Sequence, residues 1–382
     1  MSSVSNQKAL AIEICDFEKT YGKTFVLNRL NLQVQQSELL VILGDSGSGK
    51  STLLRLIAGL EKPQSGKMRI NGVDPSRLPP HKRDIAIVFQ DGNGYGHLTV
   101  RQNLDLAAKH SSQSDQLDRW VEWLKIGPTL GQKLSQLSGG QAQRVAIARA
   151  MLSGKSIVLM DEPLAHLNQS LREEIRELIS SVQRETKRTI VYVTHDSDEA
   201  FYLATRVAVL YAGQIQQVSD PQSAFCKPSS KEVAKLLGQP TLDVIDLPTK
   251  WFDGTLGSES EVCECGVRSH DWRIERIHVA SFDQVETRKI GTSFEAGKVL
   301  LNGVIVGCHW LGNRWLIEID CPQRVRITCP TPAPESLERS LVAVLNAVRS
   351  GARSKCLGYL EATIERSCLL MFGGAQSHSR QE

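Results

Sequence analysis

The sequence lacks the features that mark membrane-embedded and secreted proteins. No apolar run in the 382 residues approaches the roughly 18 residues needed to span a bilayer. The N-terminus, MSSVSNQKAL, has no basic segment followed by an apolar one, which a secretory signal requires. We therefore expect a cytoplasmic protein, held on the inner face of the cell membrane only through a partner.

A strong excess of either charge is also missing. The 45 basic and 42 acidic residues leave a net charge of +3, which gives no support to nucleic-acid binding, so we expect no nucleic-acid partner. Apolar residues make up 41% of the chain, an ordinary share for a soluble globular protein. At about 150 residues per domain, the length suggests two or three domains.

Zinc-type cysteine pairs are absent as well. Seven of the nine cysteines lie after residue 250, and Cys263 and Cys265 form a C-x-C rather than the C-x-x-C pairs of zinc sites. We expect free, mostly buried thiols, with a metal site as the alternative.

What is present is the pattern of an α/β protein. Short apolar runs that end in glycine or a polar residue indicate buried parallel strands, and helical patterns lie between them. The runs are ELLVILG (38–44), DIAIVFQ (84–90), SIVLMDE (156–162) and RTIVYVTH (188–195). Residues 10–34 alternate apolar and polar side chains, which predicts antiparallel strands. Such a sheet carries its chemistry at the carboxyl ends of the parallel strands.

A second domain is indicated by a change of pattern near residues 240–250. Short alternating stretches, EVCECGV, RWLIEIDC and QRVRITC, predict a β-rich fold there, and ERSLVAVLNAV has the spacing of a helix. We predict a first domain over residues 10–240 and a smaller β-rich domain over residues 250–382.

A phosphate-binding loop follows the first apolar run. GDSGSGKST fits the pattern G-x-x-x-x-G-K-[ST] and leads into the helical TLLRLIAGL. Its glycines allow backbone N–H groups to surround phosphates, and the lysine reaches the terminal phosphate oxygens. The predicted nucleotide-binding residues are Gly44, Asp45, Ser46, Gly47, Ser48, Gly49, Lys50, Ser51 and Thr52.

Two further apolar strands end in residues suited to nucleotide hydrolysis. Asp161 is placed to hold Mg²⁺ beside the phosphate loop, and Glu162 suits a base that orients an attacking water. The alternative is that one of these acids only pairs with a neighbouring helix. His195 ends the strand IVYVTH, where an imidazole can donate to a terminal phosphate, although a histidine in a fold is often structural.

A second glycine-rich turn, LSGGQ, opens the helix QAQRVAIARAML but brings no lysine. Its residues are Ser138, Gly139, Gly140 and Gln141. The first loop already surrounds its nucleotide, so a second set of N–H groups completes a site only from the opposite face. A second copy of the chain would supply that face, which predicts a homodimer with two nucleotides at its interface.

These motifs resemble the ATPase subunits of ATP-binding cassette (ABC) transporters over about residues 10–238. The resemblance implies that Tyr21 stacks on adenine, that Gln90 senses the terminal phosphate and the metal, and that Ser51, Gln90 and Asp161 hold Mg²⁺. It makes Glu162, His195 and Gln90 the expected catalytic residues. The implied fold is a phosphate-loop ATPase cassette with a parallel core sheet, an antiparallel β subdomain and a helical signature subdomain.

The resemblance also implies partners and a task. The second domain resembles the oligonucleotide-fold-like regulatory domain of importer ATPases, in part through CGVRSHDW. LPPHKRDIAIVFQ with Tyr95 and His97 resembles the carbohydrate and glycerol-3-phosphate group. We therefore expect an ATPase that drives solute import through membrane permease subunits, supplied indirectly by an extracytoplasmic solute-binding protein. Alternatives are another solute (iron, sulfate or polyamine) or a second domain that mainly binds a regulator.

Two departures from the family pattern matter. Asn168 stands where an aspartate that helps to link the two sites is usual, although asparagine keeps one acceptor. Gly92, Gly94 and Gly96 follow Gln90 where relatives have bulkier residues, which suggests a more pliable contact with the membrane partner. Other proteins with the signature motif fit less well, because they carry long coiled coils, two cassettes or fused membrane helices.

Overall fold

The computed structural model describes residues 9–90, 94–109, 114–165 and 167–238, and the backbones of nine strands between residues 242 and 372. The chain forms two compact units, Met1–Ser229 and Ser230–Glu382. The boundary at residues 240–250 and the domain limits drawn from the sequence stay predictions. No helix in the described part of the chain is long and apolar enough to cross a membrane.

The described residues of the first unit form two sheets, and the larger one confirms the parallel strands predicted from the sequence. Its order is β5-β6-β7-β3-β8-β9, parallel except for the β8–β9 pair. The five residues of the central β3 are at most 2% exposed, because a parallel strand between two neighbours is covered on both faces. The strands are β3 (Leu39–Leu43), β5 (Ile85–Val88), β6 (Ile157–Asp161), β7 (Thr189–Thr194), β8 (Arg206–Tyr211) and β9 (Gln214–Ser219).

The smaller sheet is antiparallel, as the alternation over residues 10–34 predicts. It has the order β2-β1-β4, from β1 (Leu10–Tyr21), β2 (Thr24–Gln35) and β4 (Ser65–Ile70). Ile12 and Ile14 of β1 pair with Val34 and Leu32 of β2, and all four side chains are buried. This face joins the same apolar core as β3 and the first helix.

Helices flank the large sheet, and three of them pack together beside it. α4 contacts α2 and α3, which confirms a helical subdomain around the signature turn. Trp120 of this helical group is 2% exposed and belongs to the apolar core. The helices are α1 (Lys50–Ala58), α2 (Val100–Ala108), α3 (Leu117–Trp123), α4 (Gly139–Leu152), α5 (Gln169–Thr186), α6 (Ser197–Leu203) and α7 (Pro221–Cys226), with short 3-10 turns at Pro80–Lys82, Ser114–Gln116, Gly127–Thr129 and Leu134–Gln136.

The second unit is β-rich, as predicted, and all its described strand pairs are antiparallel. It begins with α8 (Lys231–Leu236). One sheet has the order β10-β11-β18; the other has β12-β17-β14-β15-β16, with β13 also paired to β14. The strands are β10 (Leu242–Pro248), β11 (Val262–Arg268), β12 (Arg273–His278), β13 (Gly291–Glu295), β14 (Lys298–Trp310), β15 (Arg314–Asp320), β16 (Arg324–Pro330), β17 (Gly358–Glu365) and β18 (Leu370–Phe372). The helix predicted in ERSLVAVLNAV lies outside the described residues.

The cysteines correct one expectation. Cys15 and Cys226 are free thiols, but both are exposed rather than buried. The other seven side chains lie outside the described part of the structure. Among the described residues, no cluster of histidine, cysteine and acidic side chains could hold a metal ion.

Candidate functional site

The phosphate loop joins β3 to α1 in a conformation that requires glycine. Gly47 and Gly49 have φ values of 83° and 104°, in the left-handed region. A Cβ at Gly44 would overlap the carbonyl oxygen of Leu210, and one at Gly49 would lie 2.8 Å from that of Val26. The loop is therefore threaded tightly between β8 and β2, and only a residue without a side chain fits at these two positions.

The first N–H groups of α1 and the Ser48 hydroxyl are polar groups of the loop that can bind a phosphate. Gly49 caps α1 without any side-chain hydrogen bond, so the first N–H groups of the helix are left to bind an anion. The Ser48 hydroxyl is buried and has no hydrogen-bond partner among the described residues. Buried polar atoms are rarely left unpaired, and a phosphate group would satisfy this one.

Lys50 is folded into the loop. Its ammonium donates to the backbone oxygens of Gly44 and Asp45, both at 2.8 Å, and its side chain is 3% exposed. Burial lowers the pKa of this lysine, and the nearby carboxylates of Glu162, Asp45 and Asp161 oppose that shift. The three carboxylates favour the charged form of Lys50, and the two backbone hydrogen bonds hold its ammonium in the loop that would bind the phosphate oxygens.

Ser51 and Asp161 lie together at the carboxyl end of β6. The Ser51 hydroxyl donates to Oδ1 of Asp161 over 2.9 Å. Burial raises the pKa of Asp161, and the neighbouring Glu162 carboxylate adds to this shift, whereas the Ser51 hydrogen bond and the charges of Arg55 and Lys50 oppose it. Two hard oxygen ligands beside a phosphate loop are the donors that Mg²⁺ prefers, so these residues fit the ion.

Glu162 adopts an unusual backbone conformation at the centre of the site. Its φ is 42°, a left-handed value that is costly for a residue other than glycine, and its N–H donates to the Val193 oxygen over 3.0 Å. One carboxylate oxygen lies 3.7 Å from Nζ of Lys50 and the other 3.1 Å from Nδ1 of His195. This backbone conformation places the carboxylate between Lys50 and His195, which the sequence predicts to lie beside a terminal phosphate.

Tyr21 lies at the end of β1, near the start of α1. Its ring is 46% exposed, and the Thr52 side chain lies within hydrogen-bonding reach of its hydroxyl. The hydroxyl donates to Glu61, which raises the pKa of Tyr21 and lowers that of Glu61, and the Lys19 ammonium lies 5.2 Å from the ring centroid. Glu61 and Lys19 belong to no sequence motif, so they could not be predicted as neighbours of Tyr21.

The signature residues stand apart from this cluster. Ser138 caps α4 in a reciprocal arrangement, in which its hydroxyl accepts from the Gln141 N–H and the Gln141 side chain accepts from the Ser138 N–H. Ser138 and Gly139 are exposed, whereas Gly140 is buried against Leu171. Among the described residues, no hydrogen bond or ion pair joins these four residues to the phosphate loop. Gln90 is exposed just beyond β5.

Close packing and hydrogen bonds surround the described part of the segment after Gln90. A Cβ at Gly94 would overlap the Leu134 side chain, so this glycine allows close packing, and the pliable contact expected from the glycines stays a prediction. The fully buried Asn103 accepts from the Tyr95 N–H and donates to the backbone oxygens of Tyr95, Leu98 and Thr99. Gly92 lies outside the described residues.

Replacing Asn103 with alanine will destabilise this segment. The side-chain hydrogen bonds of Asn103 are lost and the Tyr95 N–H loses its acceptor, whereas the oxygens of Tyr95, Leu98 and Thr99 keep backbone partners, so we expect the free energy of unfolding to fall by about 1–3 kcal/mol. Urea denaturation measures the change. On the same helix, Asp105→Ala removes only an exposed pair with Arg101 and should cost at most about 0.5 kcal/mol. Equal effects of the two substitutions would contradict the role of Asn103.

Together, the fold and this constellation define a phosphate-loop ATPase. Comparison with known proteins places it further: the model of the ABC transporter family matches residues 27–165. An sn-glycerol-3-phosphate import ATP-binding protein of Rhizobium johnstonii is 43% identical over 242 residues, which cover 62% of this chain and 70% of the relative. The chain belongs to the ABC transporter family as an ATP-binding, ATP-hydrolysing cassette protein, which confirms the resemblance seen in the sequence.

Other relatives agree with this assignment. A xylose/arabinose import ATP-binding protein of Haloferax volcanii is 39% identical over 240 residues, covering 61% of this chain and 63% of that protein. Among solved structures, a Clostridium perfringens chain that is part of an ABC transporter complex is 28% identical, with a TM-score of 0.52, covering 55% of this chain and 93% of that one.

Proposed function

We propose that this chain hydrolyses ATP to energise the import of a sugar, polyol or glycerol phosphate through a separate membrane permease. The hydrolytic part rests on the position of Glu162, with one oxygen 3.7 Å from Lys50 and the other 3.1 Å from His195. The choice of solute rests on the similarity to a glycerol-3-phosphate and a xylose/arabinose import protein, at 43% and 39% identity.

Each residue of the cluster has a distinct task in this proposal. The loop Gly44–Thr52 binds the phosphates, and Lys50 moves from the loop carbonyls to their oxygens. Ser51 and Asp161, with Gln90, hold Mg²⁺, which would neutralise phosphate charge when bound. Glu162 orients the attacking water and accepts its proton, while His195 steadies the Glu162 carboxylate and donates toward the terminal phosphate. Tyr21 presents a ring face to the adenine.

The signature turn serves a second copy of the chain. Ser138 and Gly139 are exposed at the N-terminus of the 14-residue α4, where the positive end of the helix dipole attracts an anion. In a homodimer, these residues would close over the nucleotide held by the partner's phosphate loop. Two shared sites would result, each complete only when two chains meet.

The permease is proposed to dock at the segment Gln90–Thr99. Tyr95 is 52% exposed, lies edge-on to His97 at 6.2 Å and stacks on Arg149 at 5.7 Å. Asn103 hydrogen-bonds the backbone of Tyr95, and the exposed side chains of Tyr95 and His97 offer the permease an aromatic surface. The extracytoplasmic solute-binding protein would act only through the permease.

An uptake experiment tests the proposal. Cells that lack this chain should lose ATP-dependent uptake of one labelled solute from a panel of sugars, polyols and glycerol 3-phosphate. The wild-type chain should restore uptake and Lys50→Ala should not. Loss of sulfate, iron or polyamine uptake would reassign the solute. Unchanged uptake with altered gene expression would favour a regulator-binding role instead.

A cross-linking arm in the same cells tests the docking surface. With all nine native cysteines changed to serine, Tyr95→Cys should cross-link to the permease. The same background with Tyr211→Cys, an exposed tyrosine on β8, serves as the matched control. Cross-links at position 211 but not 95 would place the permease elsewhere.

A further inference from the structure

Arg172, in the first turn of α5, contacts two segments that flank the catalytic residues. Its Nε donates to the Leu167 oxygen over 3.0 Å, and a terminal nitrogen donates to the Ala165 oxygen over 3.2 Å. The other terminal nitrogen lies 3.7 Å from Oδ2 of Asp196. Ala165 and Leu167 follow Glu162 by three and five residues, and Asp196 directly follows His195.

The turn that carries His195 is itself held on a buried carboxylate. Glu199 is 4% exposed and accepts from the hydroxyls of Tyr192, at 2.8 Å, and Thr194, at 2.7 Å. The Thr194 hydroxyl accepts from the Asp196 N–H, and the Asp196 carboxylate caps α6. These hydrogen bonds fix the backbone around Asp196, so a displacement of Asp196 would also displace His195.

The signature helix rests on the other side of the same segment. A Cβ at Gly140 would overlap the Leu171 side chain, and one at Gly139 would lie 3.9 Å from Leu167. Asn168, between these leucines, caps α5 by accepting from the Leu171 N–H over 3.0 Å. The N-terminus of α4 and the N-terminus of α5 are thus in direct van der Waals contact next to Arg172.

We propose that Arg172 is a positioning residue for ATP hydrolysis, which holds the segment after Glu162 and the turn after His195 as one unit against the signature helix. This inference rests on the proposed function. Closing of the signature turn on a partner's nucleotide would press on Leu167 and Leu171, and Arg172 would pass that displacement to His195. The planar guanidinium suits the task, because it reaches three groups in fixed directions where a lysine would reach one.

An arginine that only stabilises the fold would make the same contacts, so the test must separate an effect on catalysis from an effect on stability. Arg172→Met keeps the aliphatic stem and removes all three polar contacts, whereas Arg172→Lys keeps the charge near Asp196. Arg176→Met is the matched control, since Arg176 lies one turn further along α5 and packs on the Tyr202 ring at 5.3 Å. All variants are made in the full chain, with thermal unfolding measured beside activity.

We expect Arg172→Met to lower kcat about tenfold and to change the KM for ATP by less than about twofold, since binding groups are untouched and only alignment is lost. Arg172→Lys should recover part of the loss. Arg176→Met should leave kcat unchanged. An equal loss in both methionine variants, or a loss that follows only the fall in melting temperature, would overturn the proposal.

A double-mutant cycle shows whether Arg172 works through the turn after His195. Asp196→Asn keeps the cap of α6 but weakens the ion pair. If one link joins the two residues, the double variant Arg172→Met with Asp196→Asn should be no worse than Arg172→Met alone; independent roles would multiply the two losses.

Hydrogen exchange provides a readout that does not depend on catalysis. Arg172→Met should speed amide exchange in both segments, 163–168 and 195–199, whereas Arg176→Met should not. Faster exchange in only one of them would refute the link. Because this measurement needs no ATP turnover, it stays decisive even if Glu162 is not the base that the proposed function requires.

Discussion

Glu162→Gln will lower ATP turnover about 10²–10³-fold while ATP binding survives. Glutamine keeps the shape of the side chain but cannot accept a proton, and it loses the negative charge that lies 3.7 Å from Lys50 and 3.1 Å from His195. The phosphate loop and Tyr21 are unchanged, so nucleotide affinity should remain. Single-turnover phosphate release and binding of a fluorescent ATP analogue measure the two effects separately.

The Glu162 variant should also accumulate a dimer. When ATP binds but is not hydrolysed, the two chains should stay closed over the nucleotides. Gel filtration should therefore show an ATP-dependent shift to twice the monomer mass. Glu177→Gln, an exposed acid on α5, is the matched control and should leave both turnover and mass unchanged. Near-normal turnover of Glu162→Gln would mean that another group acts as the base.

Dimers mixed from Ser138→Arg and Lys50→Ala chains will hold one nucleotide in a single complete site. The Ser138→Arg chain keeps its phosphate loop, and it faces the intact signature turn of the Lys50→Ala chain. The other site loses both its lysine and its signature serine. Two affinity tags, one per variant, isolate the mixed dimer, and occlusion of labelled ATP in the presence of Mg²⁺ measures the result.

The geometry explains why the two variants should fail alone for different reasons. Ser138 is exposed at the start of α4, so an arginine blocks closure by its bulk and also removes a helix cap worth about 1 kcal/mol. Lys50→Ala removes the buried ammonium that contacts the loop and Glu162. Ser138→Thr keeps the cap and the hydroxyl, and should retain most occlusion. If mixed dimers occlude no ATP where wild-type dimers do, the loops act within one chain and the shared-site proposal fails.

Much of the hydrolysis site could be predicted because its chemistry lies in contiguous stretches. A buried strand, a glycine-rich loop and a helix follow one another over residues 39–58, and Asp161 and Glu162 end another buried strand. Parallel strands bring their carboxyl ends to one edge, so these residues must meet there. The Ser51–Asp161 hydrogen bond and the approach of Glu162 to His195 agree with that expectation.

Other parts of the site gave no local signal. Asn103 looked like one of several polar residues on α2, yet it is fully buried and ties down the segment after Gln90. Gly94 packs against Leu134, forty residues away in the chain, and no residue near Gly94 indicates that contact. Side chains that bond backbone oxygens of distant segments leave no periodicity or spacing in the sequence.

The sequence by itself therefore determined the class of protein, the phosphate loop, the acids after β6 and the existence of a second, β-rich part. Those features depend on the order of residues within one strand, loop or helix. Only the tertiary structure decided that Glu162 turns at φ 42° between Lys50 and His195, and that Arg172 joins the segments on either side of them. Such contacts depend on how α4, α5 and α6 pack on the sheet, and packing is set by the whole core at once rather than by any one stretch of the chain.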